Sequence, residues 1–162
     1  IKLKEKINFI YENKPLGSIG AISKIKKKFK RPIVITNCDV IFNFDFNEMI
    51  KFHKIKDNYL TLAVSKMEYK IEHGTCKVDK DKNLINILEK PTVNYLINTG
   101  FYVLSPKILK LIPNDKFFDV IDLIKLLKSN NLKIGTYNIS SKSWHDVGNW
   151  LDYKKTINLL DF

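Results

Sequence analysis

The sequence predicts an α/β fold in which helices flank a mostly parallel sheet. Two observations predict it. Short runs rich in β-branched residues alternate with amphipathic helical segments along the chain, and residues 33–37 are apolar enough for a strand buried on both faces. The 162 residues, 44% of them hydrophobic, suffice for one globular domain with a substantial core. We find no repeat and no linker, so residues 1–162 are expected to form a single domain.

The first half of the chain alternates strands with helices. The predicted elements are strand 7–11, helix 21–29, strand 33–37, helix 46–56 and strand 60–64. A glycine-containing loop at residues 15–20 precedes the first helix, which Pro32 ends because its ring removes a backbone donor. Asp45 is placed to cap the second helix after a short acidic turn. Asp39 follows the central strand, at the sheet edge where open α/β folds bind ligands.

The second half begins with a predicted hairpin around the turn Asp81-Lys82-Asn83. The predicted elements are hairpin strands 75–79 and 84–88, strand 95–104, helices 105–111 and 118–128, strand 134–139 and helix 150–160. Ser105 and Pro106 provide a cap and a first-turn proline for the helix that they begin. Residues 143–148 are expected to form a polar loop.

The charge and the cysteines restrict the class of protein. A formal charge of +11 indicates anionic partners, but Arg31 is the only arginine, and base reading favours the guanidinium. Basic nucleic-acid binding is therefore a disfavoured alternative. No apolar run reaches the roughly 20 residues of a membrane span, and the first residues lack the apolar core of a signal peptide. We expect a cytoplasmic protein without a membrane partner, in which Cys38 and Cys76 are reduced and structural.

Five short motifs occur in an order and spacing that match one family. They are Pro15-Leu16-Gly17-Ser18-Ile19-Gly20-Ala21, Asn37-Cys38-Asp39, Glu89-Lys90-Pro91, Asn98-Thr99-Gly100-Phe101-Tyr102-Val103-Leu104, and Trp144-His145-Asp146-Val147-Gly148 with Asp152-Tyr153. Together they resemble sugar-1-phosphate nucleotidyltransferases, or NDP-sugar pyrophosphorylases, of the glucose-1-phosphate thymidylyltransferase and mannose-1-phosphate guanylyltransferase type. The resemblance covers nearly the whole chain.

The resemblance implies a fold and a reaction. The fold is the Rossmann-like sheet of the nucleotide-diphospho-sugar transferases. The reaction joins a nucleoside triphosphate to a sugar 1-phosphate and releases pyrophosphate, with Mg²⁺ present. Nucleic acid and membrane are not among the expected partners, and a homo-oligomer is left open.

The resemblance also assigns nucleotide and metal residues. Leu16, Gly17, Gly20 and Asp39 match nucleotide-binding positions, and a missing side chain at the glycines would let a nucleobase approach the backbone. An ordinary strand-to-helix turn is the alternative reading of this loop. Asp39 and Asp146 match the two metal-binding aspartates, because hard oxygen ligands on Mg²⁺ neutralise crowded phosphates.

The resemblance assigns sugar-phosphate binding to a second group of residues, namely Gly74, Glu89, Lys90, Asn98 and Gly100. A carboxylate accepts hydrogen bonds from sugar hydroxyls, and an ammonium stabilises a nucleophilic phosphate. The catalytic residues implied are Asp39, Lys90 and Asp146, whereas Trp144 is as suited to packing as to ligand contact. A zinc site can also be drawn from the side chains Cys38, His73, Cys76 and His145, but their spacing fits no known ligand pattern.

Two departures from the family pattern stand out. Asn37-Cys38-Asp39 replaces the more usual Asn-Gly-Asp. Nothing ahead of Ile7 resembles the glycine-rich signature loop that grips the triphosphate, so roughly 80 residues with the first strands of the sheet are expected to be missing. We expect the carboxyl-terminal two-thirds of a catalytic domain, inactive as it stands. The alternative is a non-catalytic ligand-sensing or assembly relative that never had the loop.

Overall fold

The computed structural model describes residues 7–25, 28–148 and 153–154. Its strands are β1 (Ile33–Thr36), β2 (Val40–Phe42), β3 (Leu60–Lys70), β4 (Thr75–Val78), β5 (Leu84–Leu88), β6 (Thr92–Leu104), β7 (Ile134–Ile139) and β8 (Trp144–Asp146). Its α-helices are α1 (Gly17–Gly20), α2 (Phe46–Ile55) and α3 (Val120–Ser129). Short 3₁₀ helices span Ala21–Lys24, Pro106–Lys110 and Ser141–Ser143.

Four strands form the main sheet, in the order β1-β6-β3-β7. β6 runs antiparallel to β1, with Ile33 opposite Leu104 and Thr36 opposite Phe101. The α/β prediction is confirmed, and the sheet is mixed. β2 pairs with β8 and β4 pairs with β5 in two separate antiparallel ribbons.

The chain divides into two compact units. The first unit comprises the described residues of 1–37, 45–62 and 101–135, and the second comprises those of 38–44, 63–100 and 136–162. β3, β6 and β7 each contribute residues to both units, so the division follows neither chain order nor element boundaries.

Amphipathic helices supply much of the core of the first unit. α2 buries Met49 and His53 at a spacing of four residues, and α3 buries Val120, Leu123 and Leu127 along one face. As predicted, Asp45 caps α2, because its carboxylate accepts the backbone N–H of Asn47 at 2.8 Å. The core of the second unit lies in β3 and β6. There the hydroxyl of Thr99 donates to the carbonyl of Ala63 at 2.9 Å.

Two predicted elements near the amino terminus are wrong. Residues 7–11 form no strand: Phe9 and Tyr11 are 75% and 82% exposed, and no described strand pairs with them. A β-rich run becomes a strand only where a ladder partner meets its backbone. Of the helix predicted at 21–29, the described residues form only a 3₁₀ helix at Ala21–Lys24, because the backbone is already extended at Ile25; residues 26–27 lie outside the described residues.

Four further predictions differ from the structure or lie largely outside the described residues. The prediction of a polar loop at residues 143–148 is wrong, because this segment contains β8. The segment after Asp39, predicted as an acidic turn, contains β2. The helix at 105–111 is a 3₁₀ helix with the predicted Ser105 cap. The helix predicted at 150–160 lies outside the described residues, apart from residues 153–154.

The hairpin and the predicted elements 33–37, 46–56, 60–64, 95–104, 118–128 and 134–139 are confirmed within a few residues, with β3 and β6 longer than predicted. The prediction that residues 33–37 form a central strand buried on both faces is wrong. Among the described strands, β1 lies at the end of the four-stranded order, and Val34 is 41% exposed because no described strand covers that side.

A small buried polar network links α2 to β3 in the first unit. His53 is 2% exposed, and its Nδ1 lies 2.8 Å from the hydroxyl oxygen of Thr61. The amide nitrogen of Asn58 donates to the same oxygen at 3.0 Å. The Thr61 hydroxyl, which has one hydrogen and two acceptor lone pairs, therefore bonds to both buried side chains and joins α2 to β3.

Gly135 is expected to be required by this network. A Cβ at Gly135 would overlap the side-chain amide of Asn58, which is buried and held by Thr61. Gly135→Ala should lower the free energy of unfolding by about 2 kcal/mol, measured by denaturant titration. In a double-mutant cycle, Asn58→Ala should relieve the overlap, so that the combined cost is less than the sum. Additive costs would contradict the proposed overlap.

His53 should make stability depend on pH. Burial lowers the pKa of His53 below 6.5, an effect that Lys54 reinforces and Asp57 opposes. The unfolded chain therefore binds a proton at pH values where the folded chain does not, so stability falls as pH drops below 6.5 toward the lowered pKa. Denaturant midpoints measured across this range should fall less steeply for His53→Gln. Parallel profiles for the two proteins would contradict this assignment.

Candidate functional site

The pairing of β2 with β8 joins two segments about a hundred residues apart in sequence. Val40 lies opposite Asp146, and Phe42 lies opposite Trp144. The pairing extends beyond the strands, because the N–H of Val147 donates to the carbonyl of Asp39 at 2.9 Å. Asp39 and Asp146 are thereby held side by side in the second unit.

The two carboxylates converge on one point. That point is where a Cβ on Gly148 would stand: Asp39 Oδ2 and Asp146 Oδ1 each lie 3.1 Å from it. Asp146 Oδ1 also accepts the N–H of Gly148 at 2.8 Å, which fixes the orientation of this carboxylate. Both aspartates are exposed, so a ligand can reach them.

This donor set suits Mg²⁺. Mg²⁺ keeps several waters and is usually bound by one or two carboxylates together with substrate phosphates. Within the described ranges, no three His, Cys, Asp or Glu side chains gather to hold a metal ion. The four side chains of the alternative zinc site therefore do not form such a group. Cys38 and Cys76 are free thiols, but both are exposed, so the expectation that they are structural is wrong.

The β4–β5 hairpin places Gly74 beside Glu89. A Cβ on Gly74 would lie 3.0 Å from Glu89 Oε2, so the carboxylate occupies the space that glycine leaves. Lys90 follows directly, exposed and with a positive φ of 43°, a backbone conformation that non-glycine residues rarely adopt.

The turn of this hairpin is fixed by Asp79. Its carboxylate accepts the backbone N–H groups of Asp81 and Asn83 at 2.9 and 2.8 Å and the side-chain amide of Asn83 at 3.1 Å. The hydrogen bonds from Asn83 lower the pKa of Asp79. The turn holds the register of β4 and β5, and with it the positions of Gly74 and Glu89.

Two more predicted residues lie on β6. Asn98 is exposed, and its Oδ1 accepts the N–H of Gly100 at 3.3 Å. Gly100 is buried and has a φ of 82°, which favours glycine. Like Asp39, Glu89 and Lys90, these residues belong to the second unit.

The predicted nucleotide loop belongs to the first unit, where it is bonded to the start of α3. The N–H of Ser18 donates to Asp119 Oδ1 at 2.7 Å, and the hydroxyl of Ser18 accepts the N–H of Val120 at 3.0 Å. The carbonyl of Leu16 accepts the N–H of Phe118 at 2.9 Å. The Leu16 side chain is fully buried, so it serves the core.

The two glycines of this loop have a structural reason that the sequence did not indicate. Gly17 has a φ of 78°, and a Cβ there would lie 2.8 Å from Asp119 Oδ1. A Cβ on Gly20 would lie 2.9 Å from the carbonyl of Lys116. Their bare faces therefore lie against the chain itself, as in the alternative reading of an ordinary turn. Nucleotide binding by this loop stays a prediction.

Sequence reasoning missed two residues of these sites. Asp119 lies in the predicted helix 118–128 and is not among the predicted site residues, although its carboxylate fixes the glycine loop. Gly148 ends the motif that begins at Trp144 but is not among the predicted site residues. The signal available for Gly148 was its position two residues after Asp146; no local pattern pointed from Asp119 to Ser18.

Comparison with known proteins identifies the family to which this chain is similar. A family model described as nucleotidyl transferase matches residues 1–161. A mannose-1-phosphate guanyltransferase of Debaryomyces hansenii is 31% identical over 154 residues, which are 91% of this chain and 42% of that protein. The chain thus spans less than half the length of this curated relative.

Solved structures are similar as well. HddC from Yersinia pseudotuberculosis, crystallised with GMP-PN, is 27% identical with a TM-score of 0.66, over 98% of this chain and 69% of that one. A glucose-1-phosphate thymidylyltransferase structure from Bacillus anthracis, described as putative, is 15% identical with a TM-score of 0.58, over 89% and 60% of the two chains, and shows the shared fold alone. No helix among the described residues is long and apolar enough to span a membrane.

The family match over nearly the whole chain, with these relatives, confirms the predicted resemblance, and the chain belongs to the nucleotidyl transferase family.

Proposed function

We propose that this chain is part of an enzyme that transfers a nucleotidyl group from a nucleoside triphosphate to a sugar 1-phosphate and releases pyrophosphate. One observation carries the proposal: in a member of the nucleotidyl transferase family, Asp39 and Asp146 converge on a single point. The names of the similar proteins favour GTP and mannose 1-phosphate as the first substrates to assay.

Asp39 and Asp146 would hold the metal ion. When bound there, Mg²⁺ would neutralise charge on the reacting phosphates. The protein's contribution before substrate arrives is to hold the backbone of both aspartates side by side through the β2–β8 ladder and to orient the Asp146 carboxylate through the N–H of Gly148. Such preorganisation avoids reorganisation during the reaction.

The second unit would also bind the sugar phosphate. Lys90 would hold the phosphate as an ammonium point charge, and Glu89 would accept hydrogen bonds from sugar hydroxyls. Gly74 gives the Glu89 carboxylate its position. Asn98 and Gly100 would line the same pocket, as the family resemblance implies.

The glycine loop would bind the nucleotide through its backbone, as the family resemblance implies, because the Leu16 side chain is buried and the bare faces of Gly17 and Gly20 lie against the chain itself. The hydrogen bonds that Ser18 donates to Asp119 and accepts from Val120 would keep the loop in one conformation. In addition, we propose a cytoplasmic location, which the two exposed free thiols support because reducing compartments preserve them. A homo-oligomer stays a prediction.

The metal assignment predicts the effect of one isosteric substitution. Asp39→Asn should lower kcat/KM on the order of 1,000-fold, because it removes a charge from the cation site. Pyrophosphate release is measured with this chain and with the longest open reading frame that contains it, over a panel of triphosphates and sugar phosphates. Asp81→Asn, an exposed turn carboxylate, is the matched control and should retain activity. Full activity of Asp39→Asn, or no turnover with any substrate pair, would refute the proposal.

The sugar-phosphate assignment predicts a difference between two exposed lysines. Lys90→Met should lower kcat/KM for the sugar phosphate on the order of 100-fold, because it removes the charge that steadies the nucleophilic phosphate. Lys80→Met removes the same charge from the hairpin turn and should retain wild-type kinetics. Initial rates at varied sugar 1-phosphate distinguish the two, and equal losses would indicate a general effect of net charge.

A further inference from the structure

Gly148 borders both proposed metal ligands. The position of its absent Cβ is 3.1 Å from Asp39 Oδ2 and 3.1 Å from Asp146 Oδ1. Its N–H is bonded to Asp146. Among the glycines whose surroundings the structure describes, Gly148 alone has two carboxylates from different strand ends about its Cβ position.

Backbone strain does not explain glycine at this position. Its φ lies outside the left-handed region, unlike that of Gly17 or Gly100, and the residue is exposed. Alanine is therefore compatible with the backbone, and the two oxygens need to yield only a few tenths of an ångström to admit its methyl group. Packing of the folded chain gives little reason for a glycine here.

We propose that Gly148 is a positioning residue for the metal site: its missing side chain keeps the space between Asp39 and Asp146 open for a divalent cation. The inference rests on the proposed function and assigns a role that the motif alone does not. Mg²⁺ lies about 2.1 Å from its oxygen ligands, so both carboxylates must turn toward one centre. A methyl group beside both oxygens would compete for that space and would shield the carboxylates from water.

Alanine separates this steric role from the hydrogen bond. Gly148→Ala keeps the N–H that Asp146 Oδ1 accepts, so only the open space is lost. Gly74→Ala is the matched control, because its Cβ would meet one carboxylate oxygen, Glu89 Oε2, at 3.0 Å, outside the aspartate pair. Both substitutions remove glycine beside a carboxylate.

Mn²⁺ serves as the probe, since it takes the same oxygen ligands as Mg²⁺ and broadens nearby NMR signals. In the wild-type chain, titrated Mn²⁺ should broaden the amide signals of Val40 and Val147, and Gly74→Ala should behave alike. Gly148→Ala should raise the Mn²⁺ dissociation constant about tenfold or more, a loss typical of residues that position metal ligands. Its circular dichroism and thermal midpoint should stay at wild-type values.

The outcomes separate this inference from the proposed function. If Gly148→Ala binds Mn²⁺ as tightly as the wild type while Asp39→Asn does not bind it, the role of Gly148 is refuted and the aspartate pair stands. If Mn²⁺ leaves Val40 and Val147 unaffected in the wild-type chain, the metal site is refuted together with the role of Gly148. A loss of affinity that accompanies unfolding of Gly148→Ala would also refute it.

Discussion

The ladder between β2 and β8 is the constraint on which the proposed chemistry depends. Each strand has only three residues, and neither has a strong local signal. Their pairing, with the bond from Val147 to Asp39, brings together two exposed carboxylates that would otherwise repel each other. Backbone hydrogen bonds thus supply the energy that holds like charges beside each other, and a bound cation would relieve the repulsion.

Glycine has a different physical role at each site. At Gly17 and Gly20 the chain itself occupies the space of a side chain, so these residues serve the junction of the loop with α3. At Gly74 the space is taken by a carboxylate, and at Gly148 it lies between two. The motifs that carry the family resemblance therefore combine folding requirements with requirements of the proposed ligand sites, and motif spacing alone does not separate the two.

Lysine residues carry almost all of the positive charge of the chain. In the proposed sites this charge would bind phosphate groups. A net charge of +11 attracts anions, and in the proposed site the flexible ammonium of Lys90 can follow a phosphate. Backbone N–H groups hold the carboxylates of Asp146 and Asp119, and a backbone hydrogen bond holds the main chain at Asp39. The net positive charge thus attracts anions over a long range, while local hydrogen bonds fix the positions of individual acidic residues.

The sequence by itself determined the α/β class, the family, the capped helix α2, the amphipathic helix α3 and the β4–β5 hairpin. The family follows from the order and spacing of five motifs along the chain. The class and the elements depend on periodicity, capping and turn residues within a few positions of one another. Only the tertiary structure decided that residues 7–11 form no strand and that β2 meets β8. It alone set Asp119 against Ser18 and Gly148 between two aspartates. Such features depend on partners up to a hundred residues away in sequence. The local sequence pattern does not indicate which distant backbone pairs with a strand or packs against a glycine.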